Sequence, residues 1–202
     1  MKIHTEMRAR QLLAAVFMGL TAAGCAPKQP PPSFYMLSVS APTMQPGFEQ
    51  GVRVGLGPVE LQAYLNRNQI VSRDTTTKLR VSEQHVWAEP LKEGFTRVLL
   101  TSLGLALDSN RIYALPMRQQ RPLDYRVPID VLRFDGTLGA GNEVVLGVRW
   151  SVISGNGRDV LVTKVSRIVE TIGGDDMQAF VEAQSRAVDR LAVEIASAIK
   201  AQ

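Results

Sequence analysis

Residues 143–170 read EVVLGVRWSVISGNGRDVLVTKVSRIVE. Val144, Leu146, Val148, Trp150 and Val152 alternate with Glu143, Gly147, Arg149 and Ser151, which makes one face of an extended segment apolar and the other small or polar. Gly155-Asn156-Gly157 then turns the chain, and Val160 to Val169 returns as the partner of an antiparallel hairpin. A sheet with an apolar face needs a cover, and the flanking sequence supplies one on each side. Downstream, Gly173 and Gly174 end the strand, and Asp175 and Asp176 place negative charge where a helix start favours it. Phe180, Ala187, Val188, Leu191, Ile195 and Ile199 then line one face of a helix over 177–199. Glu182 and Arg186, and Arg190 and Glu194, are spaced to pair across one turn. Upstream, Glu89-Pro90 opens a second helix, with proline at home in a first turn. Leu91, Phe95, Val98, Leu99, Leu103 and Ala106 make its apolar face, and the helix ends at Asp108.

Further strands read out at Phe34–Val39, at Val52–Leu56 up to the interruption by Gly57-Pro58, at 69–73 and 77–81 around Asp74, at 112–115, and at 125–134. Ser40 to Gln50, with Pro42, Pro46 and Gly47, reads as a loop. In 125–134 the apolar phase runs through Tyr125, Val127, Ile129 and Val131 and then slips to Leu132 and Phe134, which predicts a bulge or burial on both faces. Pro128 inside that run predicts an edge position or irregular pairing. The order strands, helix, strands, helix predicts an α/β (α+β) fold: a mixed, largely antiparallel sheet with two principal helices packed on one face.

The amino end has its own pattern. Lys2, Arg8 and Arg10 precede an apolar stretch from Leu12 to Leu20, and Thr21-Ala22-Ala23-Gly24 shrinks the side chains up to Cys25. That is the layout of a secretory signal, and the stretch is shorter than the ~20 residues that span a bilayer. Cys25, the chain's single cysteine, has no partner for an intramolecular disulfide. A cysteine behind small residues resembles a bacterial lipobox, with Ala22 standing where Leu is usual. The alternatives are a plain signal with an incidental cysteine and a short buried helix. Pro27, Pro30, Pro31 and Pro32 follow in a stretch suited to a semi-rigid tether. The expected organisation is a signal peptide over 1–24, a lipidated Cys25 with tether over 25–33, and a single periplasmic domain over 34–202. Ala26, rather than Asp, after the cysteine suggests sorting to the outer membrane by analogy with other lipoproteins.

Composition narrows the chemistry. The 202 residues are 45% hydrophobic and 21% charged, a globular balance. Of the 23 Lys and Arg and 19 Asp and Glu, the first 24 residues take Lys2, Arg8, Arg10 and Glu6, leaving a formal net charge of +2. With no basic run interleaved with aromatics, no nucleic-acid partner is expected. His85 is the one histidine beyond the signal, so neither a metal site, a cofactor nor histidine-based catalysis is expected. Asp124, Asp130, Asp135 and Glu143 lie near strand ends, where they read either as paired catalytic carboxylates or as turn and strand-edge charges. A non-enzyme is expected.

One segment follows neither helix nor strand period: GPVELQAYLNRNQIVSR, residues 57–73. It reads either as a loop folded over the sheet edge, with Tyr64 and Leu65 as the cover, or as a partner surface. In the second reading Tyr64, Leu65, Arg67 and Gln69 are the partner-binding candidates, because aromatic residues and Arg are enriched among binding hot spots. The run Gly57-Pro58-Val59, Leu61, Tyr64-Leu65, Arg67, Gln69-Ile70-Val71 and Arg73 resembles the signature of the PqiC/YmbA family of ABC-transport auxiliary lipoproteins. Trp87-Ala88-Glu89-Pro90-Leu91, Asp130-Val131, Arg133-Phe134-Asp135-Gly136 and Arg149-Trp150 continue the likeness, and Tyr35 and Leu37 fit its first strand. The chain departs at Gln62, Asn66 and Asn68, where the family more often has Pro, Asp and Pro. The resemblance implies an outer-membrane-anchored periplasmic component of an MCE-type lipid transport system; the lipobox reading adds the lipid (diacylglycerol, palmitate) on Cys25. It also implies an MCE-domain protein as partner and a homo-oligomeric ring. The rival readings are a stand-alone lipid- or glycan-binding lipoprotein and, further off, an envelope hydrolase.

Cys25 should be the acylated first residue of the mature protein. Mass spectrometry of the membrane form should find acyl chains there, and Cys25→Ser should leave an uncut or soluble chain. An unmodified Cys25 in the membrane form would refute the lipobox reading.

Overall fold

The computed structural model describes residues 30–40, 51–117, 121–139 and 141–202. The signal-like segment 1–24, Cys25, the start of the tether and residues 41–50 of the loop expected over Ser40 to Gln50 lie outside them. Among the described residues the strands are β1 (Ser33–Tyr35), β2 (Val54–Leu61), β3 (Gln69–Arg73), β4 (Leu79–Trp87), β5 (Ile112–Ala114), β6 (Tyr125–Thr137), β7 (Glu143–Ser154) and β8 (Val160–Thr171). The α-helices are α1 (Leu91–Leu107) and α2 (Met177–Lys200), and Ala63–Leu65 forms one 3-10 turn. The strands form two sheets, ordered β5-β2-β6-β7-β8 and β1-β4-β3. In the larger one β2 runs parallel to β5 and β6, while the three longest strands, β6 to β8, are antiparallel. The fold is α+β, as expected, with the strands divided between a five-stranded sheet and a separate three-stranded one.

The hairpin pairs Glu143 with Thr171 through to Ile153 with Val160. Val144, Leu146, Val148, Trp150 and Val152 are buried beneath the helices. α1 packs on β2 and β5, α2 on β6, β7 and β8, and the helices pack on each other. Asp176 caps α2 by accepting from the Ala179 N–H at 2.8 Å. Asp108 ends α1 in the left-handed region at φ 50°, its N–H bonded back to Gly104 and Leu105 carbonyls. The pairs expected within α2 give way to bonds to the sheet. Arg186 and Arg190 both reach Glu170 of β8, at 3.4 and 2.9 Å. Glu194 accepts from Ser166, which itself accepts from the buried Trp150 indole. Packing on β8 puts these better-shielded partners within reach, and an exposed i,i+4 pair is worth only about 0.3–0.5 kcal/mol.

Two irregularities mark the pairing of β6, one in its neighbour β2 and one in β6 itself. Leu56 pairs with Val127 and Val59 with Ile129, so Gly57 and Pro58 together face Pro128. β2 therefore continues through Gly57-Pro58 instead of ending there, and Pro128 sits in an inner strand at a bulge where a missing N–H is tolerated. The second lies between Val131, which pairs with Val148, and Arg133, which pairs with Gly147. Leu132 is the extra residue. Val127, Ile129 and Val131 face the helices; beyond the bulge Phe134 does so, meeting Phe95 edge-on at 5.6 Å. Asp135 is thereby turned to the opposite side.

Pro32–Gln202 gathers into one compact unit. No helix among the described residues is long and apolar enough to cross a membrane. Leu191 is fully buried on α2. Leu191→Ala should lower unfolding stability by about 2–5 kcal/mol in a denaturant titration; an unchanged midpoint would show that α2 does not seal the sheet.

Candidate functional site

The aperiodic segment leaves β2 at Leu61, makes the 3-10 turn Ala63–Leu65 and enters β3 at Gln69. Its apolar members face inward: Leu65 is 2% exposed and Ile70 fully buried. Asn66, Arg67 and Asn68 are exposed at the tip. The base is tied to β4 where the Trp87 N–H donates to the Asn68 carbonyl at 2.7 Å.

Beneath the loop lies Asp135, its side chain 0% exposed. The Tyr64 hydroxyl donates to Oδ2 at 2.8 Å. Arg73 donates from Nε to Oδ1 at 2.9 Å and from a terminal nitrogen to Oδ2 at 2.7 Å, a bidentate pair. Arg133 donates from Nε to Oδ1 at 2.9 Å. Burial by itself would raise the Asp135 carboxyl, but the hydrogen bonds from Arg73, Tyr64 and Arg133 outweigh it and hold the group below the usual carboxylate range. Burial, then the bond to Asp135, pushes the Tyr64 phenol up to about 12. The Arg73 guanidinium is raised chiefly by its hydrogen bond to Asp135. Tyr64 stays neutral and Asp135 charged across the physiological range, so the cluster is a fixed brace with no proton to exchange.

The motif residues find physical roles around this brace. In Arg133-Phe134-Asp135-Gly136, the arginine neutralises the acid and the phenylalanine fills the core. Gly136 lets β6 approach β7: a Cβ there would lie 2.3 Å from the Glu143 carbonyl oxygen. In Trp87-Ala88-Glu89-Pro90-Leu91, Trp87 and Leu91 are buried, the Ala88 N–H donates to Tyr35, and Glu89 pairs with Arg97. Arg149 pairs with Asp130 at 3.3 Å, and Trp150 is core.

Of the partner-binding candidates, Tyr64 and Gln69 are half-buried, Leu65 is a core residue, and Arg67 alone is exposed. Cys25 lies outside the described residues. The strand-end carboxylates do not meet each other: Asp124 pairs with Arg53 at 2.7 Å, Asp130 with Arg149 and Asp135 with Arg73 and Arg133. Asp135 is neither half of a carboxylate pair nor a strand-edge surface charge. Sequence reading missed that it joins Tyr64, Arg73 and Arg133. The available signal was an Asp immediately after the phase slip, beside an Arg and a Gly. Among the described residues no group of three or more His, Cys, Asp or Glu could hold a metal.

The profile of a family described as the ABC-type transport auxiliary lipoprotein component matches residues 35–196. A comparison with curated proteins found no match. Among solved structures, protein XCC0632 from Xanthomonas campestris superposes with a TM-score of 0.64 at 18% identity, over 84% of this chain and 97% of that one. A crystal structure of an uncharacterized protein gives a TM-score of 0.68 at 16% identity, over 84% and 99%. Both show the fold alone. The PelC dodecamer from Paraburkholderia phytofirmans is more distant, with a TM-score of 0.47 at 12% identity over 78% and 93%, and says nothing of this chain's assembly.

Asp135→Ala should cost about 3–5 kcal/mol, because two guanidinium groups lose their buried partner. The carboxyl is held low in the folded state, so its contribution is present above the ordinary pKa near 4 and lost as pH falls through the folded value. The stability gap between wild type and variant, from urea titrations, should be constant from pH 7 to 5 and narrow below about pH 4. A gap that did not change with pH would mean the carboxylate charge is not what braces the loop.

Proposed function

The chain belongs to the family of ABC-type transport auxiliary lipoprotein components, and on that premise we propose that it is a non-catalytic docking subunit of an MCE-type lipid transport system. In this reading Cys25 anchors it by lipid to the periplasmic face of the outer membrane. The folded domain, held off by the proline-rich tether, receives the far end of an MCE-protein tunnel and assembles as a homo-oligomeric ring.

One observation carries the docking reading. The loop exposes Asn66, Arg67 and Asn68 while Tyr64 is hydrogen-bonded to a buried carboxylate and Leu65 is sunk in the core. A surface segment braced in this way loses little conformational freedom on binding, which favours affinity. Arg67 is the contact residue; Tyr64, Leu65 and Gln69 position it. Exposed apolar side chains elsewhere, Phe34 at 68%, Val160 at 63% and Val165 at 66%, support further protein contacts.

Arg67→Glu should leave the fold and membrane anchoring intact and reduce recovery of the MCE protein in affinity purification from solubilised membranes about tenfold or more, as expected of an interfacial charge reversal. Full recovery would remove the loop from the interface. The ring is tested separately by analytical ultracentrifugation of the full-length chain in detergent, where a monomer at every concentration would overturn it.

A further inference from the structure

The five-stranded sheet ends at β8. β7 and β8 keep one register from Glu143–Thr171 to Val152–Val162. In line with it, the Ile172 N–H donates to the Asn142 carbonyl at 2.8 Å. Bonded and non-bonded pairs alternate along an antiparallel ladder. Val162, Lys164, Ser166, Ile168 and Glu170 therefore bond to β7. Thr163, Val165, Arg167, Val169 and Thr171 turn their N–H and C=O groups to the outer edge. That edge is closed at both ends. Arg190 and Arg186 of α2 donate to the Val169 and Thr171 carbonyls at 3.3 and 2.7 Å. At the other end Leu161 is the extra residue of a bulge between Val160 and Val162.

Between these ends lie Thr163, Val165 and Arg167, all exposed, Val165 at 66%. Among the described residues no hydrogen bond closes their outward backbone groups. An open row of this kind is a template for another strand, and edges are commonly guarded by a lysine or a cover. Here Lys164 lies on the Trp150 side of the sheet, its nitrogen 5.7 Å from the centre of that ring, and leaves the edge unguarded. Val160, exposed at 63%, adds apolar surface beside the open stretch.

We propose that a second copy of this chain pairs its β8 antiparallel with this one about a two-fold axis at Val165, joining two five-stranded sheets into one. A two-fold contact must be self-complementary, and this register is. Val165 faces its own counterpart, Thr163 faces Arg167 and Lys164 faces Ser166. Every open N–H and C=O then meets another, and no like charges are opposed. An axis at Lys164 or Arg167 would oppose like charges. An axis at Ser166 would set Thr163 against Val169, whose carbonyl Arg190 already holds. An axis at Thr163 would run Val165 into the bulge at Leu161. A membrane surface does not serve this edge, because the backbone groups would lose water without gaining partners. A two-fold contact closes at two copies, whereas a ring needs a head-to-tail one, so the proposal rests on neither the ring nor the loop.

The test uses cysteine variants of the full-length chain in detergent, oxidised and run on non-reducing gels, with wild type reporting any product from Cys25. Val165→Cys should form a disulfide dimer, since the Cα atoms of a bonded antiparallel pair lie about 5.5 Å apart, within disulfide reach. Lys92→Cys, exposed on α1, should stay at the wild-type level. Thr163→Cys and Arg167→Cys, differently tagged, should cross-link when mixed and not alone, because each lies about 14 Å from its own counterpart. Adding Val165→Pro to both should abolish the mixed product with the urea midpoint unchanged, as that N–H faces away from β7. Val165→Lys, which opposes two charges on the axis, should abolish it as well. No Val165→Cys dimer above the Lys92→Cys level overturns the proposal, as does Thr163→Cys cross-linking to itself as readily as to Arg167→Cys. Loss of MCE recovery by Val165→Pro without a Val165→Cys dimer also overturns it and gives the edge to that partner. A larger assembly in the ultracentrifuge with no Val165→Cys dimer keeps the ring and overturns the pairing; a dimer in both measurements keeps the pairing without the ring.

Discussion

A carboxylate with no exposed surface has to be compensated where it lies, and Asp135 is compensated from three directions. Arg73 comes from β3, Tyr64 from the loop and Arg133 from two residues earlier on β6. Each brings a donor, and none satisfies the charge by itself. Moving any one of them leaves the buried charge short of a donor, which costs more than the net worth of the bond lost. The brace therefore specifies geometry more than it adds stability. It places β3 over β6 and sets the height of the loop tip at Arg67.

That brace depends on a defect in a strand. Before the Leu132 bulge the odd-numbered residues of β6 face the helices; without it Asp135 would join Val127, Ile129 and Val131 on that face. One inserted residue sends Phe134 into the core against Phe95 and gives Asp135 to the other side. The bulge opposite Pro128 belongs to β2, where Gly57 and Pro58 together face one residue of β6. The loop and its brace thus lie beside an irregularity of β6. This is the usual place for such features, because a bulge re-aims side chains that a regular ladder would hold in strict alternation.

The opposite face is built more simply. α2 buries an apolar stripe from Phe180 to Ile199 and anchors its polar flank on β8 through Arg186, Arg190 and Glu194. The chain Trp150 to Ser166 to Glu194 satisfies an indole N–H that would otherwise be buried without a partner. Sheet and helix are therefore joined by polar bonds at the rim as well as by packing at the centre.

Local periodicity was enough to read the β7–β8 hairpin, both helices and their ends, and the slip in β6, because each depends on residues a few positions apart. It was also enough to mark residues 57–73 as unlike their surroundings. Where the chain's charges would meet was beyond it. Arg73 and Asp135 are 62 positions apart, and their contact depends on how two sheets stack. For the same reason β4 extends to Trp87 through a polar run that reads as no strand: it is held by β3 and β1 on its flanks, and the strand order is a property of the whole fold. Glu170 drew Arg186 and Arg190 away from their own helix by the same kind of proximity. The sequence by itself determined the β7–β8 hairpin, the two helices and their apolar faces, since those follow from side-chain spacing along one strand or helix. Tertiary structure alone decided which buried carboxylate holds the loop and which arginines meet it, because those contacts exist only after distant segments have packed and excluded water.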